Sequence, residues 1–160
     1  MPNLNWSRLT HMQIGKYAEY YCKMEFTSYG LDVYTSEVDD HGVDFVIKDR
    51  RGNFYEVQVK SIRKTSYAFI PKDKIKTDKA HLVCLVKFTD GEMPKLYVFP
   101  ATVWNNPNEV FVDRPYGKEN QKSKAEWGIN YSTKNRGILE VYVAEKTLDA
   151  LRKQAHKIDA

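Results

Sequence analysis

The chain has 160 residues, 42% of them hydrophobic and 29% charged, which suits one domain with a buried core and excludes a disordered chain. A formal net charge of +4 permits an anionic partner without demanding one. Two isolated cysteines, Cys22 and Cys84, exclude a disulfide framework or zinc cluster. No apolar run nears the ~20 residues that span a bilayer, so a cytoplasmic protein without a membrane segment is expected.

Residues 7–29 carry the helical period, with Ile14, Tyr17, Ala18 and Tyr21 on one row and Gly15, Glu19, Cys22 and Phe26 on the next. Gly30 marks the stop. Short strands are expected at 31–37, 43–49 and 54–62, joined by the polar turns "DDHG" and "RRGN". A basic segment interrupted by Pro71 runs over 60–79, and "HLVCLVKF" at 81–88 reads as a strand covered on both faces. Another strand follows at 95–104. Residues 105–137 form a polar insertion without a clear period, before a strand at 138–145 and a helix at 147–158. The sum is a single α/β domain over 1–160: a core at about 7–104, the insertion, and a C-terminal strand and helix.

The hairpin at 43–62 carries the chemistry. If Lys48 pairs with Phe54, Asp44 falls opposite Gln58, and Glu56, Gln58 and Lys60 share its face by strict alternation. Val43, Phe45 and Ile47 lie with Tyr55, Val57 and Val59 on the other, apolar face. A carboxylate beside an amide oxygen suits a hard cation such as Mg²⁺, and Lys60 beside it can orient a water or stabilise anionic charge. Antiparallel sheets also often carry one solvated polar face, which would explain the same residues without any chemistry. Asp44 between Val43 and Phe45 leans toward a site, because Asp is a poor strand former.

The stretch "HGVDFVIKDRRGNFYEVQVKS" resembles the core of the PD-(D/E)XK nuclease superfamily, and "IGKYAEYYCKMEFTSYGLDVYTSE" is similar to the helix and strand that precede it. Val43 stands where the pattern has Pro, and Gln58-Val59-Lys60 stands where it has acid-x-Lys, the Q-x-K variant. The resemblance implies a restriction-endonuclease-like mixed sheet, an antiparallel meander plus a central strand, flanked by helices. It also implies a metal-dependent DNA endonuclease using Mg²⁺ or Mn²⁺. Asp44, Gln58 and the Val59 carbonyl would hold metal, Lys60 would position water, and Glu19 would complete the site. Glu56 is a reserve acid. One chain holds one such site, so a homodimer is expected for cutting two strands. The alternative is a weakened or inactive nuclease-fold module that binds nucleic acid or a protein partner, favoured by the neutral Gln58.

Between Lys60 and Lys79 there are seven Lys or Arg against two acids. Arg63, Lys64, Lys72, Lys74 and Lys76 are therefore candidate DNA contacts, with Tyr67 and Phe69 interleaved. His41, Arg114, Lys122 and Lys124 are further candidates from the turn and the polar insertion. A solvated loop and an edge strand kept soluble by lysines would look alike.

Overall fold

A computed structural model describes residues 1–38, 42–64, 67–116 and 123–156 of the chain. After a 3₁₀ turn at Trp6–Arg8, helix α1 spans His11–Ser28. Its start is fixed by a capping box. The Thr10 hydroxyl accepts from the Gln13 amide, and the Gln13 side chain accepts from the Thr10 amide. The buried line takes Ile14 and Ala18 from one predicted row and Cys22 and Phe26 from the other, leaving Tyr17 and Tyr21 half-buried beside it.

Strands β1 (Asp32–Tyr34), β2 (Phe45–Lys48) and β3 (Phe54–Ile62) form an antiparallel meander. The β2–β3 turn is locked by Asp49, a buried carboxylate. It accepts from the Arg51 and Asn53 amides, the Asn53 side chain and the Tyr55 hydroxyl. Burial alone would raise its pKa, but these bonds outweigh burial and hold it below the usual carboxylate value. Strand β5 (His81–Lys87) lies parallel to β3, and β6 (Lys95–Pro100) closes the sheet antiparallel to β5.

A second sheet was not expected from the sequence. Strand β4 (Tyr67–Pro71) pairs with β8 (Glu126–Asn130), which pairs with β7 (Phe111–Arg114), all antiparallel. Thus part of the basic segment and nine residues of the polar insertion are strand. The insertion hid its strands because only Phe111, Gly128 and Ile129 are buried among their nine residues. Gly128 lets the Tyr67 ring lie flat on β8: a Cβ there would stand 2.4 Å from the Tyr67 hydroxyl.

The predicted strand at 138–145 is wrong. Helix α2 (Arg136–Glu140) and the start of helix α3 (Ala144–His156) occupy it, leaving Val143 in an isolated bridge to Tyr97. Leu139 is buried, Tyr142 and Val143 pack partly against the same core, and Val141 is 60% exposed. That is a helical spacing, which a short β-branched run disguises.

Two cores result. One face of the five-stranded sheet, through Phe45, Ile47, Val57, Leu82 and Cys84, packs on both α1 and α3. The other face, through Ile62, Val83, Leu85, Tyr97 and Phe99, packs on the small sheet and Trp104. The layers are therefore helix, mixed sheet and small sheet. The face of β3 that bears Gln58 and Lys60 is half roofed rather than open to water.

Candidate active site

Every β2–β3 pair sums to the predicted register, from Phe45 opposite Val57 to Lys48 opposite Phe54. Gly42 takes a φ of 78° and brings the chain into Asp44. The Asp44 amide donates to the Val57 carbonyl at 2.9 Å, one step before β2 begins. Beyond this point no described strand pairs with β3 on that side, so its edge is a notch. The Asp44 carboxylate fills the notch by accepting the Val59 amide at 2.6 Å. This charge-assisted bond replaces the missing strand pair.

Gln58 is 5% exposed, and its Nε2 donates to the Lys74 carbonyl at 2.6 Å. The bond fixes the amide plane and turns the side-chain oxygen to the opposite side. Lys74 belongs to a 3₁₀ turn, Lys72–Lys74, that follows β4. The second sheet thus reaches back to position a residue of the first. Lys60 lies one step further along the same face, largely desolvated. Burial of its ammonium lowers its pKa, and the neighbouring Asp44 carboxylate offsets this only in part.

Glu19 lies on α1, against the opposite face of the sheet, and pairs with Lys16 at 3.3 Å. Glu56 is half exposed and bonds to His81 Nε2 at 2.8 Å, while the other ring nitrogen meets Asp78 at 2.5 Å. Behind the notch, Cys84 pairs in register with Val59. Burial, a bond its thiol makes to Cys22 and the Asp44 charge push its pKa well above the ordinary value, which makes it inert packing. Asp44, Gln58 and Lys60 are therefore gathered, whereas Glu56 is engaged elsewhere. Among the described residues, no group of three or more His, Cys, Asp or Glu side chains is arranged to hold a metal ion.

The candidate DNA contacts differ in setting. A cavity of about 400 Å³ opens beside Glu56 and His81, with Val43, Val46 and Ile75 in its lining and Lys72, Lys74 and Lys76 around it. Lys72 is partly spent within the protein: it pairs with Asp113 and sits 4.1 Å from the Trp127 ring centre. Arg114 lies over Tyr67 at 5.7 Å, and the exposed Lys124 meets Asp73 at 3.8 Å. Arg63 Nη1 donates to the Trp6 carbonyl at 2.6 Å, and Lys64 is exposed. His41 and Lys122 lie outside the described residues. Sequence reading missed the Gln58–Lys74 bond and the Asp78–His81–Glu56 chain. Only the spacing of Asp78 and His81, three apart, hinted at the latter.

The mixed sheet, with its meander, parallel central strand and flanking helices, is a nuclease-like fold. One solved structure with this likeness is that of a bacterial homing endonuclease, I-Ssp6803I. The identity is 21%, over 94% of this chain and 99% of that one, and the TM-score is 0.51. No family model and no curated protein matches the chain. Among the described residues, no helix is long and apolar enough to cross a membrane.

Proposed function

We propose that the chain is a metal-dependent DNA endonuclease whose site follows the PD-(D/E)XK plan, with Gln58 in the second acidic position. The observation that carries this reading is the Asp44 carboxylate set in the notch of β3 on the Val59 amide, with a partly buried Lys60 near enough to feel its charge. Its fold likeness to a homing endonuclease supports the same substrate class.

The donor set fits Mg²⁺ or Mn²⁺ held loosely. One carboxylate (Asp44), one amide oxygen (Gln58) and the Val59 carbonyl are all hard oxygen donors, and Mg²⁺ commonly binds one or two carboxylates while keeping several waters. When bound, the ion polarises the phosphoryl oxygen and acidifies a water. Gln58, anchored through Nε2, presents its oxygen in a fixed orientation. Lys60, with its pKa lowered, releases a proton more readily than a surface lysine. It serves to orient the water and take or return a proton beside the scissile phosphate. Lys72, Lys74 and Lys76 line the path of the phosphate backbone. One chain carries one site, so cutting both strands takes two copies.

One observation favours a second reading, a nuclease-fold module that binds without cutting. The Gln58 amide is committed to Lys74, a purely structural use. Cleavage of supercoiled, branched and single-stranded DNA with Mg²⁺ or Mn²⁺ separates the two. The endonuclease reading predicts metal-dependent products that Asp44→Asn and Lys60→Ala both abolish. DNA binding by all three proteins with no cutting by any establishes the module instead.

A further inference from the structure

Past Lys60, the end of β3 and the start of α1 enclose a separate cavity of about 150 Å³, lined by His11, Ile14, Ser61, Arg63 and Lys64. No acid lines it. An imidazole, a hydroxyl, a guanidinium and an ammonium surround one buried aliphatic side chain, Ile14.

Arg63 is anchored from beneath. Its Nη1 donates to the Trp6 carbonyl at 2.6 Å and the Leu9 carbonyl at 3.5 Å. Trp6 is buried, and its indole donates to the Glu92 carbonyl at 2.9 Å, so the anchor is itself fixed. A guanidinium has five N–H donors in a rigid fork, and these bonds use only one nitrogen of it. The nearby acid, Asp90, is occupied by the Ser7 amide at 3.0 Å.

We propose that this cavity seats a phosphodiester group of the bound DNA strand, further along the backbone from the group cut at Lys60. The inference rests on the nuclease reading and adds His11 and Ser61 to it. A lining with an arginine, a lysine and two further possible donors selects an oxyanion, and a pre-anchored guanidinium matches phosphate geometry. The space admits a phosphate with a few waters, each needing about 30 Å³. Lys60 and the Ser61 side of the cavity face opposite sides of β3, and three residues of chain separate Lys60 from Arg63, about 10 Å at 3.3 Å per residue, so a strand that reaches both passes over the edge of β3. A ligand that reaches both points must present oxyanions in a row, as a nucleic-acid strand does and a free phosphate does not.

The test uses the full chain and a fluorescein-labelled 20-base-pair duplex of mixed sequence, in EDTA, at several salt concentrations. His11 and Lys64 are exposed, so His11→Ala and Lys64→Ala leave the core intact. Lys153→Ala, on α3 and 70% exposed, is the control. The expected result for Lys64→Ala is several-fold weaker binding and a plot of log K against log salt shallower by about 0.9, the loss of one phosphate contact. His11→Ala weakens binding as well, and Lys153→Ala does neither. Should both cleft variants match the parent in affinity and slope while the parent binds and cuts DNA, the cavity proposal falls and the nuclease reading stands. If the parent binds no duplex, both fall.

Discussion

The Asp44 carboxylate bonds to the Val59 amide at 2.6 Å, so the first acid of the site is also the cap on the unpaired edge of β3. Position and stability are thereby linked. Asp44→Asn keeps an oxygen acceptor for that amide, and the fold should lose less than about 1 kcal/mol. Asp44→Ala leaves a part-buried N–H unpaired and should cost about 1–3 kcal/mol. Chemical denaturation of the two variants checks the contrast, and both should lose cleavage.

Gln58→Glu restores the acid that the nuclease pattern expects, at a structural cost. The Lys74 carbonyl would face a carboxylate in place of an N–H donor, in a position only 5% exposed. Loss of about 1–3 kcal/mol without metal is expected. Millimolar Mg²⁺ should then raise the melting temperature of Gln58→Glu more than that of the parent, because a second carboxylate strengthens binding to the native state alone. Equal metal responses would place Gln58 outside the ion site.

Lys60 sets an alkaline signature. Its pKa is lowered in the folded chain by burial, so between that value and the unfolded value near 10.5 the unfolded state binds more protons. Stability from this group therefore rises with pH through that window and is lowest when the amine is forced to stay charged. Lys60→Met should flatten the rise, raise the melting temperature at neutral pH, and reduce cleavage by about 10²-fold or more. Melting curves across pH 7 to 10.5 read the first two effects.

Asp49 should behave as a remote determinant of the site. It carries four hydrogen bonds at the β2–β3 turn, and that turn sets Asp44 opposite Gln58. Asp49→Ala is expected to cost about 2–3 kcal/mol and to reduce cleavage without touching DNA or metal. Because the Asp49 pKa is depressed, its contribution is present above the unfolded carboxylate value and is lost as pH falls through the folded one. Acid unfolding of parent and variant should converge at low pH.

The hairpin was legible in the sequence because period-two alternation and a Gly-bearing turn leave few registers, and both Phe45 and Val57 fall on the core face. What covers the other face was not. Asp113, Arg114 and Glu126 stay partly exposed on β7 and β8, so those strands show no apolar stripe, and the alternation of Ala68 and Ile70 on β4 is masked by the basic segment around it. The role of Gln58 escaped for the same reason: its partner is a backbone carbonyl sixteen residues on, and a backbone acceptor leaves no trace in side-chain identity. At 138–145 local β propensity misled, and burial of Leu139 and Ala144 decided for helix.

The most direct measurement of the central claim is cleavage of supercoiled DNA by the purified chain with Mg²⁺, beside Asp44→Asn and Lys60→Met. The account predicts nicked or linear product from the parent, none in EDTA, and none from either variant despite retained DNA binding. Metal-independent cutting, or parent and variants that bind DNA alike and leave it intact, would contradict it.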